Sequence, residues 1–446
     1  MKIFKNKVIS FVSAVVFLSV VVILSSVFNE RKESIKLFTD ENNTCVTAFR
    51  GGKELDEKAA GRMSQVYFSP GNYVSAVQTV TEKGYELWIF SENGCRKVFD
   101  GSVSSLIFSS DSAQFVFNTP AGEIYRGSTG SGKVKKLYSS LSGKFSVSPD
   151  CSKILYETDE GLYLNGKFIL SGYLPAAVSD SGDRIYAESS DNKLVMLDKD
   201  FNISANIAEL SGDNDNIVFS SDMKTLFFSD KSGSFVFSRE KGKHKLGDKI
   251  FSFAGNAVEC SSDGDMLRTY SSVVPGFFTS GGNLIFADKD YNISLLSDNF
   301  AYFKTYGKKA LFTDKSGNLS FFDGENTRIA ENVFDEKFDM SSNTIYFIDS
   351  DKKFAAVKKG KTYNLADGAS SFALFGKNYD VISSGALYTG VGTKEKQLVL
   401  DFANDIYTSE SAVFAAYNLN SGKFNILVSS DGRYFDKVEG IFRNIA

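Results

Sequence analysis

From residue 64 to the C-terminus the chain alternates between two textures. Apolar and aromatic residues come in runs of four to six, and each run is cut by a short polar group rich in Ser, Asp, Gly and Asn. Runs of that length bounded by turn residues predict short buried strands, because a helix needs a longer stretch with a 3.6-residue period. The clearest unit is 145–170: Phe-Ser-Val-Ser-Pro-Asp, then Lys-Ile-Leu-Tyr-Glu, then Gly-Leu-Tyr-Leu, then Lys-Phe-Ile-Leu. It predicts four strands joined by three tight turns. After the N-terminal apolar segment only Lys53 to Met63 (KELDEKAAGRM) predicts a helix.

The unit recurs. Its first turn stands at Phe68-Ser69-Pro70-Gly71, Phe108-Ser109-Ser110-Asp111, Val178-Ser179-Asp180-Ser181-Gly182, Phe219-Ser220-Ser221-Asp222 and Cys260-Ser261-Ser262-Asp263-Gly264. Weaker versions stand at Thr305-Tyr306-Gly307, Met340-Ser341-Ser342-Asn343, Phe375-Gly376-Lys377 and Thr408-Ser409-Glu410. With the unit at Ser148, ten reference positions are separated by 31 to 44 residues. The mean of about 38 is close to the ~40–45 residues of a four-stranded propeller blade. The second turn repeats too: Asp230-Lys-Ser-Gly-Ser matches Asp314-Lys-Ser-Gly-Asn, and Asp198-Lys-Asp-Phe-Asn-Ile-Ser matches Asp288-Lys-Asp-Tyr-Asn-Ile-Ser. Gly, Asn and Asp suit these places because tight hairpins use positive φ.

The fold class expected is therefore all-β, a β-propeller of four-stranded blades. Single rings usually have ~4–8 blades, so the expectation is one large ring of about eight with irregular units, the repeat count allowing up to ten. The stretch 271–282 (SSVVPGFFTSGG) reads as a loop inserted in a blade. Its Phe277 and Phe278 are expected to tuck into the ring, since buried Phe is the common case, with an exposed contact patch as the alternative.

The N-terminus breaks the pattern. MKIFKNK carries Lys2, Lys5 and Lys7 without an acid, and residues 8–28 are 21 uncharged positions. At ~1.5 Å per residue that run spans a ~30 Å hydrocarbon core. It is longer than a typical signal-peptide core and lacks a convincing small-x-small site, so an uncleaved signal anchor is expected, with cleavage as the alternative. The leading lysines favour a cytoplasmic N-terminus. The expected division is a cytoplasmic tail (1–7), a transmembrane signal anchor (8–28), a polar stalk (29–63) and a propeller domain (64–446) outside the cell membrane.

Composition narrows the chemistry. The chain has 41 Phe, 20 Tyr and one Trp among 446 residues, which suits pleated, half-buried strands. Residues 29–446 carry 47 Lys and Arg against 54 Asp and Glu, a net of −7, with the signs interspersed. No basic stripe marks a nucleic-acid partner. The clusters Lys133/Lys135/Lys136, Lys241/Lys243/Lys245 and Lys358/Lys359/Lys361 lie near predicted turns, where lysine blunts sheet edges. The four cysteines, Cys45, Cys95, Cys151 and Cys260, are too widely spaced for C-x-x-C chemistry. Outside the cell they are free to form disulfides, with the pairing left open, and a free, buried Cys is an equally good reading.

The Ser-Pro-Asp or Ser-x-Asp-Gly turn, followed by an apolar strand, an Asp-rich turn and a strand such as Leu-Tyr-Leu or Leu-Trp-Ile-Phe, resembles the blades of WD40-like propellers of the TolB and dipeptidyl-peptidase N-terminal type. The resemblance covers roughly 64–440 and lacks the Gly-His and Trp-Asp of true WD40 copies. The TolB side of it implies an envelope interaction platform. The dipeptidyl-peptidase side implies a hydrolase domain after the propeller, whereas here the repeats run to the C-terminus.

Individual motifs carry little chemistry. Gly127-Ser-Thr-Gly-Ser-Gly-Lys133 fits G-x-x-x-x-G-K, but Val134 follows where a phosphate loop needs Ser or Thr, and the flanks predict strands, so it reads as a hairpin turn. No G-x-S-x-G occurs, and the single His, His244, sits in a basic turn. Asp198/Asp200/Asn202 and Asp288/Asp290/Asn292 alternate like calcium ligands but lack the remaining loop positions, so they read as β-turns. No catalytic, cofactor-binding or metal-binding residue is assigned, and no cofactor is expected. The expected function is a membrane-anchored extracytoplasmic propeller that binds a protein or cell-envelope partner as a sensor or scaffold. The alternative is a glycan-processing enzyme using carboxylates in the propeller channel.

Overall fold

Strand formation follows the apolar runs. In the unit at 145–170 the strands are Phe145–Val147, Ile154–Thr158, Gly161–Leu164 and Lys167–Leu170, paired antiparallel in that order. The first three strands are buried or half-buried throughout, and the fourth begins with two exposed residues. The computed structural model describes residues 34–55, 58–139, 141–210, 217–255, 269–270, 273–375, 377–394, 396–408, 412–420, 423–432 and 434–444. The expected anchor at 8–28 lies outside them. Among the described residues no helix is long and apolar enough to cross a membrane.

Among the described residues the unit is built ten times, as sheets 1 (62–100), 2 (105–138), 3 (145–170), 4 (173–209), 5 (218–247), 6 (252–297), 7 (300–330), 8 (333–366), 9 (369–400) and 10 (405–444). Seven of the ten reference positions fall at the end of the first strand of a sheet or in the turn that follows it, and the other three, Ser261, Gly376 and Ser409, lie outside the described residues. The expectation of about eight blades is thus too low. The weak units are genuine sheets with shorter junctions: Tyr306 pairs with Lys309, and Phe375 with Asn378, across two-residue turns that leave no room for a Ser-x-Asp group.

The strong junctions are hydrogen-bond knots. Ser148 Oγ donates to Asp150 Oδ1 (2.6 Å) and accepts from Lys153 N (2.9 Å), while Asp150 Oδ1 accepts from Ser152 N (2.8 Å). Ser109 with Asp111 and Ser220 with Asp222 repeat the scheme. Burial alone would raise the Asp150 carboxyl, but the bonds from Ser148 and Ser152 hold it down at about 2. Neighbouring knots touch: Ser110 N donates to the Pro149 carbonyl (2.7 Å), Asp150 N to Asp180 Oδ1 (2.9 Å), and Tyr186 Oη to the Met223 carbonyl (3.0 Å).

Each sheet packs face to face on the next through its own cluster. Val116 and Ile124 of sheet 2 meet Ile154 and Tyr156 of sheet 3, and Tyr186 and Leu194 of sheet 4 meet Phe219 and Phe228 of sheet 5. First strands of successive sheets approach one another, for example 333–339 with 369–375 and 369–375 with 405–408. They form the inner edge, and fourth strands such as Asn326–Ala330 form the exposed outer one. Nine intersheet clusters run from sheet 1 to sheet 10.

The circuit closes through the N-terminal segment. Residues 35–60, expected as stalk with a helix over 53–63, are strands instead: Ile35–Asp40, Cys45–Arg50, Lys53–Glu54 and Ala59–Ala60. The first pairs with the last strand of sheet 10, Phe38 to Asp40 opposite Asn444 to Phe442. One face of the hairpin, with Leu37, Val46 and Ala48, covers Val77, Phe90 and Cys95 of sheet 1. The other puts Phe38 and Phe49 on Phe414, Phe424 and Phe442 of sheet 10, with Phe38 5.4 Å from Phe414 and 5.5 Å from Phe49 between ring centroids. The helix pattern of 53–63 yields because Ala59 is buried under Cys45–Arg50, where strand pairing and packing outweigh local propensity.

The reading of 271–282 also shifts. Gly276–Ser280 is the second strand of sheet 6, and Phe277 and Phe278 are fully buried in the sheet 6–7 and sheet 5–6 interfaces. The insertion is earlier: between Ser252–Gly255 and Gly276–Ser280 the chain adds a two-residue strand, Thr269–Tyr270, parallel to Val218–Ser220 of sheet 5.

Two measurements test this architecture. Phe38→Ala empties the closing seam and should cost about 3–5 kcal/mol in urea unfolding, as for a buried Phe in a close-packed core; a cost under about 1 kcal/mol would mean the seam does not hold the ring. Ser148→Ala removes two knot bonds and should cost about 1–2 kcal/mol, with no change if the knot were incidental.

Candidate functional site

In an antiparallel four-strand unit the first and third turns emerge at one end and the second at the other. The first-turn end carries a cavity of about 310 Å³ between sheets 4 and 5. Its walls come from the first turn of sheet 4 (Arg184), the first turn of sheet 5 (Ser220, Asp222, Lys224, Thr225), the third turn of sheet 5 (Ser238, Arg239, Glu240, Lys241) and Val274. Arg184 is held at its base by two contacts: its backbone N donates to Ser179 Oγ (3.1 Å), and its Nη1 to the Asp222 carbonyl (3.4 Å). Its Nε is buried and has no hydrogen-bond partner. Asp222 is occupied by Ser220 Oγ, Lys224 N and Lys224 Nζ (3.6 Å). Burial raises its carboxyl, and these bonds more than reverse that, so it stays charged. Lys241 Nζ lies 5.3 Å from the Tyr291 ring centroid. The walls thus hold four cations against two carboxylates.

The inner edge carries a different set of charges. Glu336 and Phe338 leave the strand Val333–Asp339 on one face, Asp335 and Lys337 on the other. Glu336 is 3% exposed, its Oε1 has no hydrogen-bond partner, and burial pushes its carboxyl up to about 7, against the pull of Lys304. Asp335 is also raised by burial. Lys337 donates to the Phe372 carbonyl of sheet 9, its Nζ lies 4.7 Å from that ring's centroid, and burial lowers its pKa. Asp380 of sheet 9 is fully buried with both carboxylate oxygens unpartnered; its cross-strand neighbour Thr389 donates instead to the Gly432 carbonyl (2.6 Å). Burial raises Asp380 to about 7 against the pull of the Thr389 hydroxyl, with the charge of Asp431 adding to the rise.

The motifs singled out from the sequence fall elsewhere. Gly127–Lys133 is the third turn of sheet 2, between the strands Ile124–Ser128 and Val134–Tyr138, and the hairpin reading holds. Asp198 Oδ1 accepts from the backbone N of Asp200 (2.9 Å) and Asn202 (3.0 Å), and Asp288 does the same with Asp290 (2.8 Å) and Asn292 (2.9 Å). These are Asx turns. His244 lies on the exposed outer strand Gly242–Gly247, stacked on Tyr291 at 4.3 Å. Cys45 is a free thiol, Cys95 and Cys151 are buried in separate intersheet clusters, and Cys260 lies outside the described residues. Sequence reasoning missed Arg184, Arg239, Asp380 and Glu336. Arg184 had one local signal, its place directly after a Ser-x-Asp-type turn.

No family model and no curated protein matches the chain. Among solved structures it is similar to a eukaryotic initiation factor at 12% identity, covering 85% of this chain and 97% of that one, with a TM-score of 0.42. It is similar to TolB from Acinetobacter baumannii at 15% identity, covering 47% and 62%, with a TM-score of 0.29. It is also similar to an oligogalacturonate lyase in complex with manganese at 10% identity, covering 71% and 93%, with a TM-score of 0.34. The propeller reading rests on the strand order and the closing seam described above.

The buried carboxyls fix a pH dependence. The folded protein keeps protons on Glu336 and Asp380 up to about pH 7, where the unfolded chain has already released them. Their effect is therefore to lower stability as pH rises from about 5 to about 8. Glu336→Gln and Asp380→Asn should each raise the melting temperature at about pH 8, with little change at about pH 5. A uniform shift at both pH values would mean these carboxyls ionise normally.

Proposed function

We propose that the protein is a membrane-tethered, extracytoplasmic binding module that takes its ligand at the first-turn end, in the cavity between sheets 4 and 5. The observation that carries the reading is that three rigid hairpin turns converge charged and hydroxyl side chains on one concave space. Serine–aspartate hydrogen bonds, Ser179 to Asp183 and Ser220 to Asp222, hold two of those turns, so the side chains are presented without first having to be ordered. The tether is the uncharged run at 8–28 with lysines ahead of it. The TolB-type resemblance of the blades points the same way, towards an envelope interaction platform.

Glycan processing by two carboxyls needs both groups to reach one substrate. Asp335 and Glu336 leave opposite faces of one strand, and Glu336 and Asp380 are buried between sheets. Binding is therefore the better reading.

Photocrosslinking in intact cells tests it. A benzophenone side chain placed at Lys224 or Lys241 should give a discrete adduct by mass spectrometry. The same group at Lys231, in the second turn of the same sheet and so at the opposite end, should not. Equal labelling from position 231, or none from 224 and 241, would sink this reading.

A further inference from the structure

The charge of the cavity stands out against the rest of the molecule. The full chain has a net charge of −4, yet the cavity walls set Arg184, Lys224, Arg239 and Lys241 against Asp222 and Glu240, an excess of two positive charges. Of the two acids, Asp222 is already engaged by Ser220 and Lys224, so its negative charge is spent within its own turn. The cations come from three turns: Arg184 from one, Lys224 from a second, and Arg239 and Lys241 from a third. Charges arriving from several directions suit a tetrahedral oxyanion, whose oxygens accept on different sides, better than a planar carboxylate, which a single arginine fork can satisfy. Hydroxyls of Ser220, Thr225 and Ser238 also line the walls, and the volume of about 310 Å³ is at the small end for ligand pockets, room for one compact polar molecule or one headgroup.

We propose that this cavity binds a phosphate monoester dianion, with Arg184 and Arg239 as its principal ligands and Lys241 adding a third positive charge, while Lys224 stays paired with Asp222. The proposal rests on the binding-module reading above and adds to it the chemical class of the ligand. The phosphate has two possible sources, a small solute or a lipid headgroup, and the same positively charged walls serve either. Glu240 sits at the rim as a repulsive charge and limits how tightly the dianion is held.

Titration calorimetry on the purified full-length chain in detergent, at low salt, tests this with glycerol 3-phosphate as the probe. Wild type should bind it. Arg184→Gln and Arg239→Gln should each weaken binding at least ~10-fold, and Glu240→Gln should tighten it by about 2–5-fold, because it removes a like charge. Arg239 is exposed and supports no packing, so its variant stays informative if Arg184→Gln fails to fold. Co-flotation with phosphatidic acid vesicles, against phosphatidylcholine vesicles, separates the sources. Arginine-dependent flotation assigns a lipid headgroup, and binding of glycerol 3-phosphate without flotation assigns a solute. The proposal is overturned if wild type takes up no glycerol 3-phosphate at up to about 10 mM, if both arginine variants bind like wild type, or if Glu240→Gln weakens binding. Crosslinks from positions 224 and 241 in a protein that ignores phosphate would remove this proposal alone and leave the binding-module reading standing.

Discussion

A four-stranded sheet whose two faces are both apolar cannot stand in water, and each sheet of this protein depends on being covered twice. Sheet 5 offers Phe228 and Phe235 to sheet 4 and Phe227 and Val236 to sheet 6, so strand alternation supplies one core to each neighbour. A row of such sheets leaves one bare face at each end. The hairpin at 35–50 removes both at once, because its alternate residues Leu37 and Phe38 point to sheet 1 and sheet 10. The closing piece is therefore a two-sided wedge held by pairing over only Phe38 to Asp40, with most of its hold coming from buried Phe, Leu and Val.

The Ser-x-Asp turns do a second job at the end of each sheet. A buried serine hydroxyl ties the turn to the following strand, and contacts between adjacent turns link the sheets along that end. Rigid turns allow side chains from separate repeats to be held around one cavity, and Arg184 and Asp222, one repeat apart, meet there. At the inner edge the same close packing has the opposite consequence. Carboxyls of Glu336 and Asp380 are sealed between sheets, and they answer with raised pKa values in place of chemistry at a surface.

Much of the fold was legible because its signals are local. The Ser-Asp first turns mark the strong sheets, and glycine at the second turn has a physical cause: Gly233 has φ 135°, and a Cβ there would lie 2.1 Å from the Gly247 carbonyl. What misled was also local. The segment 53–63 has helical composition but is drawn into strands by the surface it covers, and Gly276–Ser280 follows Pro275 in a glycine-rich stretch yet pairs as an interior strand. The expected blade number fell short because it was set by the usual size of single rings, while two of the weak units turn in two residues and lack the Ser-x-Asp group of the longer turn.

By itself the sequence determined strand length, the turn chemistry and the spacing of the repeats, since each depends on residues within a few positions of one another. Only the tertiary structure decided which two sheets the N-terminal hairpin joins, which carboxyls lose contact with water and which cations share a cavity. Those depend on distances between residues such as Phe38 and Phe414, or Arg184 and Arg239, that are far apart in the chain. A repeat period sets how far apart successive sheets begin, but it carries no information about the atoms that meet where two sheets touch.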